Sequence, residues 1–166
     1  MQNAQVQRIA LAFLFLFGDE KIALHGAFRA VAKLKSAHGM SELAEGLSDL
    51  DLIKSINQIY LKCRGLVSNH QRQTRPNIDG GRKTPSAMGS LRSTIDLDPW
   101  LNFRNEANEA EVLVVVLSKI LGFRDEDISS ALEVPLATIR YRLSRGIQQL
   151  SVHCQGSTEM RGLDNV

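Results

Sequence analysis

The sequence predicts an all-α protein in which two small helical domains are joined by a flexible linker. Apolar residues recur every three or four positions from residue 2 to residue 72 and from residue 106 to residue 154, which is the spacing of one helix face. Between these blocks the periodicity disappears, and proline and glycine accumulate. With 166 residues and 43% hydrophobic composition, the chain can form two small cores.

The first predicted domain, residues 1–72, begins with two apolar helices. The first helix, Gln2–Phe17, is apolar on nearly every side and should therefore be buried by its neighbours or by a partner. Gly18 ends this helix, and Asp19 can cap the next one, which keeps helical spacing to about Ala37. The residues predicted to face the core from this second helix are Leu24, Ala27, Phe28, Val31 and Leu34.

A loop at His38–Gly39 and a short helix near Ser41–Leu47 are predicted to follow. Ser48 to Asp51 then make a capping-box-like start for a long helix. The apolar side of this long helix carries Leu52, Ile56, Ile59, Tyr60, Cys63 and Val67. The same helix has three bases outside this apolar side, namely Lys54, Lys62 and Arg64.

Residues 73–105 are predicted to form the flexible linker, because prolines and glycines interrupt any helical pattern there. From Lys62 to Arg92 the chain has seven bases and one acid. This stretch could follow a nucleic-acid backbone, or its charge could simply keep a linker solvated. Trp100, the single tryptophan, is expected to anchor the linker on one of the domains rather than to stack on a base.

The second predicted domain, residues 106–154, opens with a helix from Glu106 to Leu121. Its valines widen the apolar face beyond one stripe, so burial on two sides is expected. Gly122 marks a turn, and the acids at residues 125–127 suit the start of the next helix, because the helix dipole favours negative charge there. Residues 155–166 are predicted to be a disordered polar tail.

Residues 125–150 contain two short helical patterns separated by a turn at residues 133–135, which is the arrangement of a helix-turn-helix. On the second pattern, Leu136, Ile139, Leu143, Ile147 and Leu150 form one apolar stripe, and Thr138, Tyr141, Arg142, Arg145 and Gln149 project from the other side. Residues 136–150 carry three arginines and no acid, although the net charge of the chain is only +2. This segregation of charge fits a recognition helix in the DNA major groove; a solvated helix of a bundle is the alternative.

The segment Val134–Gly146 resembles the end of region 4 of bacterial sigma-70 family sigma factors of the extracytoplasmic-function type, typically written I-P-x-G-T-V-x-S-R-L-x-R-A. The residues in register are Pro135, Thr138, Arg142, Leu143 and Arg145. This chain departs from the pattern at Glu133, the usual turn glycine, and at Ala137, the glycine before the threonine. In the family this helix binds the upstream core promoter element. The resemblance therefore implies DNA contacts by Thr138, Arg140, Tyr141, Arg142, Ser144 and Arg145.

The first domain is similar to region 2 of the same family, and Phe17–Gly18–Asp19 and Phe28 carry this likeness. In the family, the second helix has the pattern D-x-V-Q-E-x-F, which docks on the clamp helices of RNA polymerase. The corresponding residues here are Ile22, Leu24, His25, Gly26 and Phe28, so region 2 is divergent and weaker binding to core polymerase is expected. The resemblance also implies promoter melting or contacts to the DNA backbone by Lys54, Lys62 and Arg64.

The expected function is that of a DNA-binding transcription initiation factor that directs RNA polymerase to promoters, with an anti-sigma factor as a further partner. Two alternatives stay open, namely a sigma-like regulator that does not program polymerase and a helical protein-interaction module. No enzyme, metal or cofactor is expected, because the sequence has no phosphate loop, metal-ligand cluster or nucleophile elbow. The spacing of Cys63 and Cys154 and a longest apolar run of nine residues favour a cytoplasmic protein without a membrane span.

Overall fold

The computed structural model describes residues 4–45, 47–73 and 97–161, and every secondary-structure element within these ranges is a helix. The predicted all-α fold class is thus confirmed. The chain divides into two compact units, Met1–Ser90 and Leu91–Val166. Residues 74–96, which make up most of the predicted linker, lie outside the described residues. In the described ranges, no helix is both long enough and apolar enough to cross a bilayer.

The first unit contains three helices, α1 (Ala4–Phe17), α2 (Glu20–Glu45) and α3 (Asp49–Gln73). Gly18 separates α1 from α2 with a φ of +63°, a left-handed conformation that glycine adopts without steric cost. The Asp19 carboxylate then caps α2 by accepting the backbone N–H of Ile22 at 3.0 Å. As predicted, Ser48 caps α3, because its hydroxyl accepts the backbone N–H of Asp51 at 3.2 Å.

The core of the first unit forms where α1, α2 and α3 contact one another. The ring of Phe17 lies between those of Phe13 and Tyr60, with centroids 5.8 and 5.5 Å away. The other large buried residues of this core are Ile9, Leu16, Leu34, Leu52, Ile53, Ile56 and Ile59. The burial predicted for the first helix is thus observed on one face only, because Leu11 is 37% exposed and Leu14 and Phe15 are half-buried.

The predicted core face of α2 is partly wrong: Ala27 and Leu34 are buried as predicted, but Leu24 is 63% exposed and Phe28 is 76% exposed. Among the α2 residues up to His38, the buried ones are Ala23, Gly26, Ala27, Ala30 and Leu34. Gly26 gives the physical reason, since a Cβ atom there would lie 2.9 Å from a ring carbon of Phe13. The helices α1 and α2 thus pack too closely for large side chains, and the core takes the alanine face instead.

The predicted loop at His38–Gly39 and the separate short helix after it are also wrong, because α2 runs without a break from Glu20 to Glu45. A glycine inside a helix costs about 1 kcal/mol relative to alanine, which is too little to end a long helix. A proline would end it, and none occurs between residues 20 and 45.

The second unit begins earlier than predicted. Its helices are α4 (Asp98–Glu106), α5 (Glu109–Val115), α6 (Asp125–Leu132) and α7 (Leu136–Arg161), and α5 continues into a π-helical turn, Val116–Ile120. Residues 98–105, which were assigned to the linker, therefore belong to α4. Pro99 lies in the first turn of α4, where its missing N–H has no helical partner to lose. Trp100 is buried as expected, and its ring lies 5.3 Å from that of Phe103.

The predicted helix from Glu106 to Leu121 is in fact divided between α4 and α5. The Asn108 side chain caps α5 by accepting the backbone N–H of Ala110 at 2.9 Å, so the chain starts a new helix at Glu109. The six residues 112–117 are all buried, which agrees with the burial on two sides expected from the sequence. Gly122 then turns the chain toward α6 with a φ of +72°.

The predicted disordered tail starts too early, because α7 continues to Arg161. The last proline of the sequence is Pro135, so no residue beyond it prevents helical hydrogen bonding. Residues 162–166 lie outside the described part of the chain.

Candidate nucleic-acid interface

A rigid three-residue turn sets the direction of α7 relative to α6. Glu133 ends α6 with φ 56° and ψ 39°, the left-handed conformation that glycine usually supplies at this position of a helix end. The hydroxyl of Ser129 donates to the carbonyl of Val134 at 2.7 Å, and the amide of Val134 donates to the carbonyl of Ser129 at 3.1 Å. The carbonyl of Pro135 then accepts the amides of Thr138 and Ile139, in the first turn of α7, at 2.8 and 3.1 Å. These bonds fix the turn without help from a ligand.

The inner face of α7 packs on α4, α5 and α6. Ile139 and Leu143 are buried there, as predicted, and Gly146 is buried beside them. The prediction that Ile147 continues this stripe is wrong, because its side chain is exposed. Gly146 takes the contact instead, since a Cβ atom at that position would lie only 2.6 Å from Cγ2 of Val115.

The side chains implied as DNA contacts lie on the rest of the helix surface, which we call the α7 outer face: Thr138, Arg140, Tyr141, Arg142, Ser144 and Arg145. Tyr141 is 59% exposed and lies almost opposite the buried residues, because each residue turns the helix by about 100°. Arg140 and Ser144 lie to one side of Tyr141, and Arg145 and Thr138 lie to the other. Five of the six predicted residues thus lie on the side of α7 centred on Tyr141, whereas the half-buried Arg142 lies only about 60° from Ile139, at the edge of the buried face.

Arg140 is held by the acidic first turn of α6. Its guanidinium lies 3.2 Å from the Glu126 carboxylate and 3.9 Å from that of Asp125. Asp127, the third acid of this turn, binds Arg124 at 2.9 Å, and this hydrogen bond lowers the pKa of Asp127 below its usual value of 3.8. The charge of Arg140 is therefore largely balanced within the protein.

Arg145 is held from the opposite side by α5. Its Nε lies 3.4 Å from the carboxylate of Glu111, and a terminal N–H donates to the hydroxyl of Tyr141 at 3.3 Å. The hydrogen bond to Tyr141, followed by the charge of Glu111, raises the pKa of the Arg145 guanidinium. Arg145 projects away from the apolar stripe as predicted, but it does not project freely into solvent.

Glu111 is a member of this cluster that the sequence analysis missed. It is 5% exposed, and it is the only charged side chain that is buried among the described residues. An acid within the otherwise apolar run from Ala110 to Leu117 was the available signal, because an unpaired carboxylate is rarely buried.

Arg142 differs from the other two arginines of α7. It is half-buried, and no ion pair or hydrogen bond to its side chain occurs within the described part of the chain. Its aliphatic stem can pack on the protein while the guanidinium stays available to solvent or to an anion.

In the first unit, the three bases predicted to contact DNA lie on α3. Lys54 is half-buried, and Lys62 and Arg64 are exposed. At about 100° per residue, Lys54 lies on the side of α3 opposite Ile56, Ile59 and Cys63, whereas Lys62 and Arg64 lie on the two flanks of the helix. The three bases therefore do not share one side of α3.

The described residues offer no other polar cluster of a kind that would suggest metal chemistry. No group of three or more His, Cys, Asp or Glu side chains with metal-binding geometry occurs among them. Cys63 is buried, Cys154 is exposed, and neither forms a disulfide.

The sequence matches no protein-family model and no curated protein sequence. The fold is similar to that of the sigma factor RpoE from Bartonella quintana, which was solved in complex with the anti-sigma factor NepR. The TM-score is 0.65, the alignment covers 92% of each chain, and the sequences are 17% identical. The chain therefore has a sigma-factor-like all-α fold.

Proposed function

We propose that this protein is a transcription initiation factor of the extracytoplasmic-function sigma type, which binds promoter DNA and directs core RNA polymerase to it. The α7 outer face carries the proposal, because in a sigma-factor-like fold it presents Tyr141 and Arg145, which are exposed, together with Thr138 and Arg142, which are half-buried. In this proposal α6, the turn and α7 form a helix-turn-helix, whose second helix enters the major groove with its N-terminal residues nearest the bases.

The contacts that we assign follow from the surroundings of each side chain. Thr138 lies in the first turn of α7 and can reach a phosphate or a base edge. Tyr141 presents its ring to a base or to a thymine methyl group. Arg142 has no acidic partner in the described part of the chain, so its charge is available to a phosphate or a guanine. Arg140 contributes less, because Asp125 and Glu126 balance its charge.

The first unit is proposed to hold core polymerase through α2. Gly26 is buried against Phe13 and cannot present a polar docking group. The exposed surface of α2 instead includes two large apolar side chains among its charged residues, since Leu24 and Phe28 lie one helical turn apart and both face solvent. Large exposed apolar side chains on a helix are typical of contacts with another protein. We therefore expect an apolar polymerase contact that is weaker than a polar docking site or needs a second factor.

Two further partners follow from the same proposal. The three bases of α3, Lys54, Lys62 and Arg64, would contact the DNA backbone where the promoter strands separate. A protein of the anti-sigma class would control the factor, because RpoE, which has a similar fold, was captured with the anti-sigma factor NepR.

The test is transcription in vitro with the full chain, bacterial core RNA polymerase and a library of bacterial genomic fragments. The 5′ ends of the transcripts are sequenced with and without the protein. We expect start sites that require the protein and share an upstream sequence, and we expect Arg142→Ala to weaken initiation at those sites. Arg124→Ala is the matched control, since Arg124 lies at the start of α6 and is exposed.

Two results would reject the proposal. DNA binding without any protein-dependent start site would indicate a sigma-like regulator. Absence of both DNA binding and initiation would leave a helical interaction module, with Leu24 and Phe28 as part of its contact surface.

A further inference from the structure

Glu111 is buried in the second unit although it carries a carboxylate. One carboxylate oxygen faces the Nε of Arg145 at 3.4 Å, and the other, Oε2, is buried and has no hydrogen-bond partner among the described residues. A buried charge with so few partners is costly, and an apolar residue of similar size would fill the same space at lower cost. Stability alone therefore does not account for an acid at this position.

The packing of α7 on α5 brings Arg145 to this carboxylate. At Gly146 the two helices approach so closely that a Cβ atom would lie 2.6 Å from Val115 and 3.5 Å from the backbone oxygen of Glu111. Arg145 is the neighbour of Gly146, and its half-exposed side chain crosses from the edge of the contact to the α7 outer face. The buried carboxylate thus fixes a side chain that reaches the surface.

Arg145 in turn contacts Tyr141. It donates a hydrogen bond to the tyrosine hydroxyl at 3.3 Å, and its guanidinium carbon lies 5.8 Å from the centre of the tyrosine ring. A continuous series of contacts therefore runs from Glu111 in the core through Arg145 to the exposed ring of Tyr141.

We infer that Glu111 and Arg145 are positioning residues that orient Tyr141, and that Tyr141 determines which base pair is preferred at its position. This inference rests on the proposed DNA-binding function and adds the residue that sets part of its specificity. The guanidinium of Arg145 pairs with Glu111 and donates to Tyr141, and it does not bind a phosphate. The charge that supports affinity comes instead from Arg142 and other bases.

The experiment selects DNA with the full chain from a pool of randomised duplexes, and the bound fraction is sequenced. Wild type is compared with Glu111→Met, Glu111→Gln, Tyr141→Phe and Arg145→Ala, and with a double variant that combines Glu111→Met and Tyr141→Phe. Glu109→Gln is the control on an exposed acid of the same helix. Methionine matches the length of Glu111 without a charge, and glutamine keeps an oxygen that can accept from Arg145. Thermal unfolding of each variant shows whether the fold is retained.

We expect wild type to prefer one base at the Tyr141 position by at least about five-fold, which is the lower end of a base-specific contact. Glu111→Met and Tyr141→Phe should each reduce the preference at that same base pair below about two-fold. The base preference of Glu111→Gln should lie between those of wild type and Glu111→Met. The double variant should lose no more preference than either single variant, because the effects of coupled residues are not additive. Arg145→Ala should relax the same base pair and leave the salt dependence of binding unchanged.

Four results would overturn the inference. First, the wild-type preference could survive in Glu111→Met. Second, in Glu111→Met the preference could fall at every position together with a lower unfolding temperature, and Glu111 would then have a purely structural role. The effects of Glu111→Met and Tyr141→Phe could add, or Arg145→Ala could reduce the salt slope by about one, which is the signature of a phosphate contact. If wild type selects no sequence, the proposed function itself fails and this inference fails with it.

Discussion

Adding one methyl group at Gly146 tests the close approach of α7 to α5 on which the position of Arg145 depends. In Gly146→Ala the new Cβ would lie 2.6 Å from Cγ2 of Val115, which is buried and has little room to move. Overpacking of this kind costs about 1–3 kcal/mol, and alanine recovers about 1 kcal/mol relative to glycine inside a helix. We therefore expect the free energy of unfolding to fall by up to about 2 kcal/mol.

The chain offers a direct assay and a matched control. Trp100 is the single tryptophan and is buried in the second unit, so its fluorescence during urea unfolding reports on that unit. Gly65→Ala is the control, because Gly65 lies in α3 and a Cβ atom there would meet no neighbouring side chain within 4 Å. It should gain about 1 kcal/mol of stability, measured by far-UV circular dichroism. If Gly146→Ala stabilised its unit as much as Gly65→Ala, α7 could not approach α5 as described.

Three further outcomes are expected. Glu133→Gly should stabilise the second unit by about 1 kcal/mol in the same fluorescence assay, because it relieves a left-handed backbone at φ 56°; a loss of stability would contradict that geometry. Phe28→Ser should weaken binding to core polymerase in a pull-down without lowering the unfolding temperature of the first unit, since Phe28 is largely exposed; unchanged binding would move the polymerase contact elsewhere. Asp127→Asn should be less stable than wild type at neutral pH, because Arg124 lowers the pKa of the folded carboxyl below 3.8. That difference should disappear as the pH falls through the lowered pKa, and a difference that does not change with pH would show that the Arg124 pair is not its source.

The sequence was sufficient where local patterns decide the structure. The helical spacing of apolar residues identified α1, α3 and α7, and the Ser48 cap followed from capping chemistry that depends on a few neighbouring residues. The grouping of Thr138, Tyr141 and Arg145 on one side of α7 also followed from helix periodicity alone.

The errors arose where a tertiary contact overrides a local pattern. The stripe containing Leu24 and Phe28 has the larger apolar residues, yet the close contact at Gly26 selects the alanine face of α2. Pro99 resembles a linker residue in the sequence, but it lies in the first turn of α4. This helix forms because Trp100 and Phe103 are buried in the core of the second unit.

The partners of the α7 arginines could not be predicted for a related reason. Periodicity shows that Arg140 and Arg145 lie away from the apolar stripe, and it contains no information about side chains on other helices. Glu126 and Glu111 lie 14 and 34 positions earlier in the chain, and only the packing of α6 and α5 on α7 brings them close. Under the proposed function, these ion pairs give both arginines a supporting part rather than a direct DNA contact.

The proposal that α7 reads DNA is tested most directly by the salt dependence of DNA binding in Arg142→Ala. Affinity of the full chain for a selected duplex is measured by fluorescence anisotropy at several salt concentrations, with Arg124→Ala as the control. We expect Arg142→Ala to lose about ten-fold in affinity at fixed salt, or to reduce the salt slope by about one unit if Arg142 holds a phosphate. Arg124→Ala should match wild type. Equal affinity and equal slope in all three proteins, or no DNA binding by wild type, would contradict the assignment of α7 as a recognition helix.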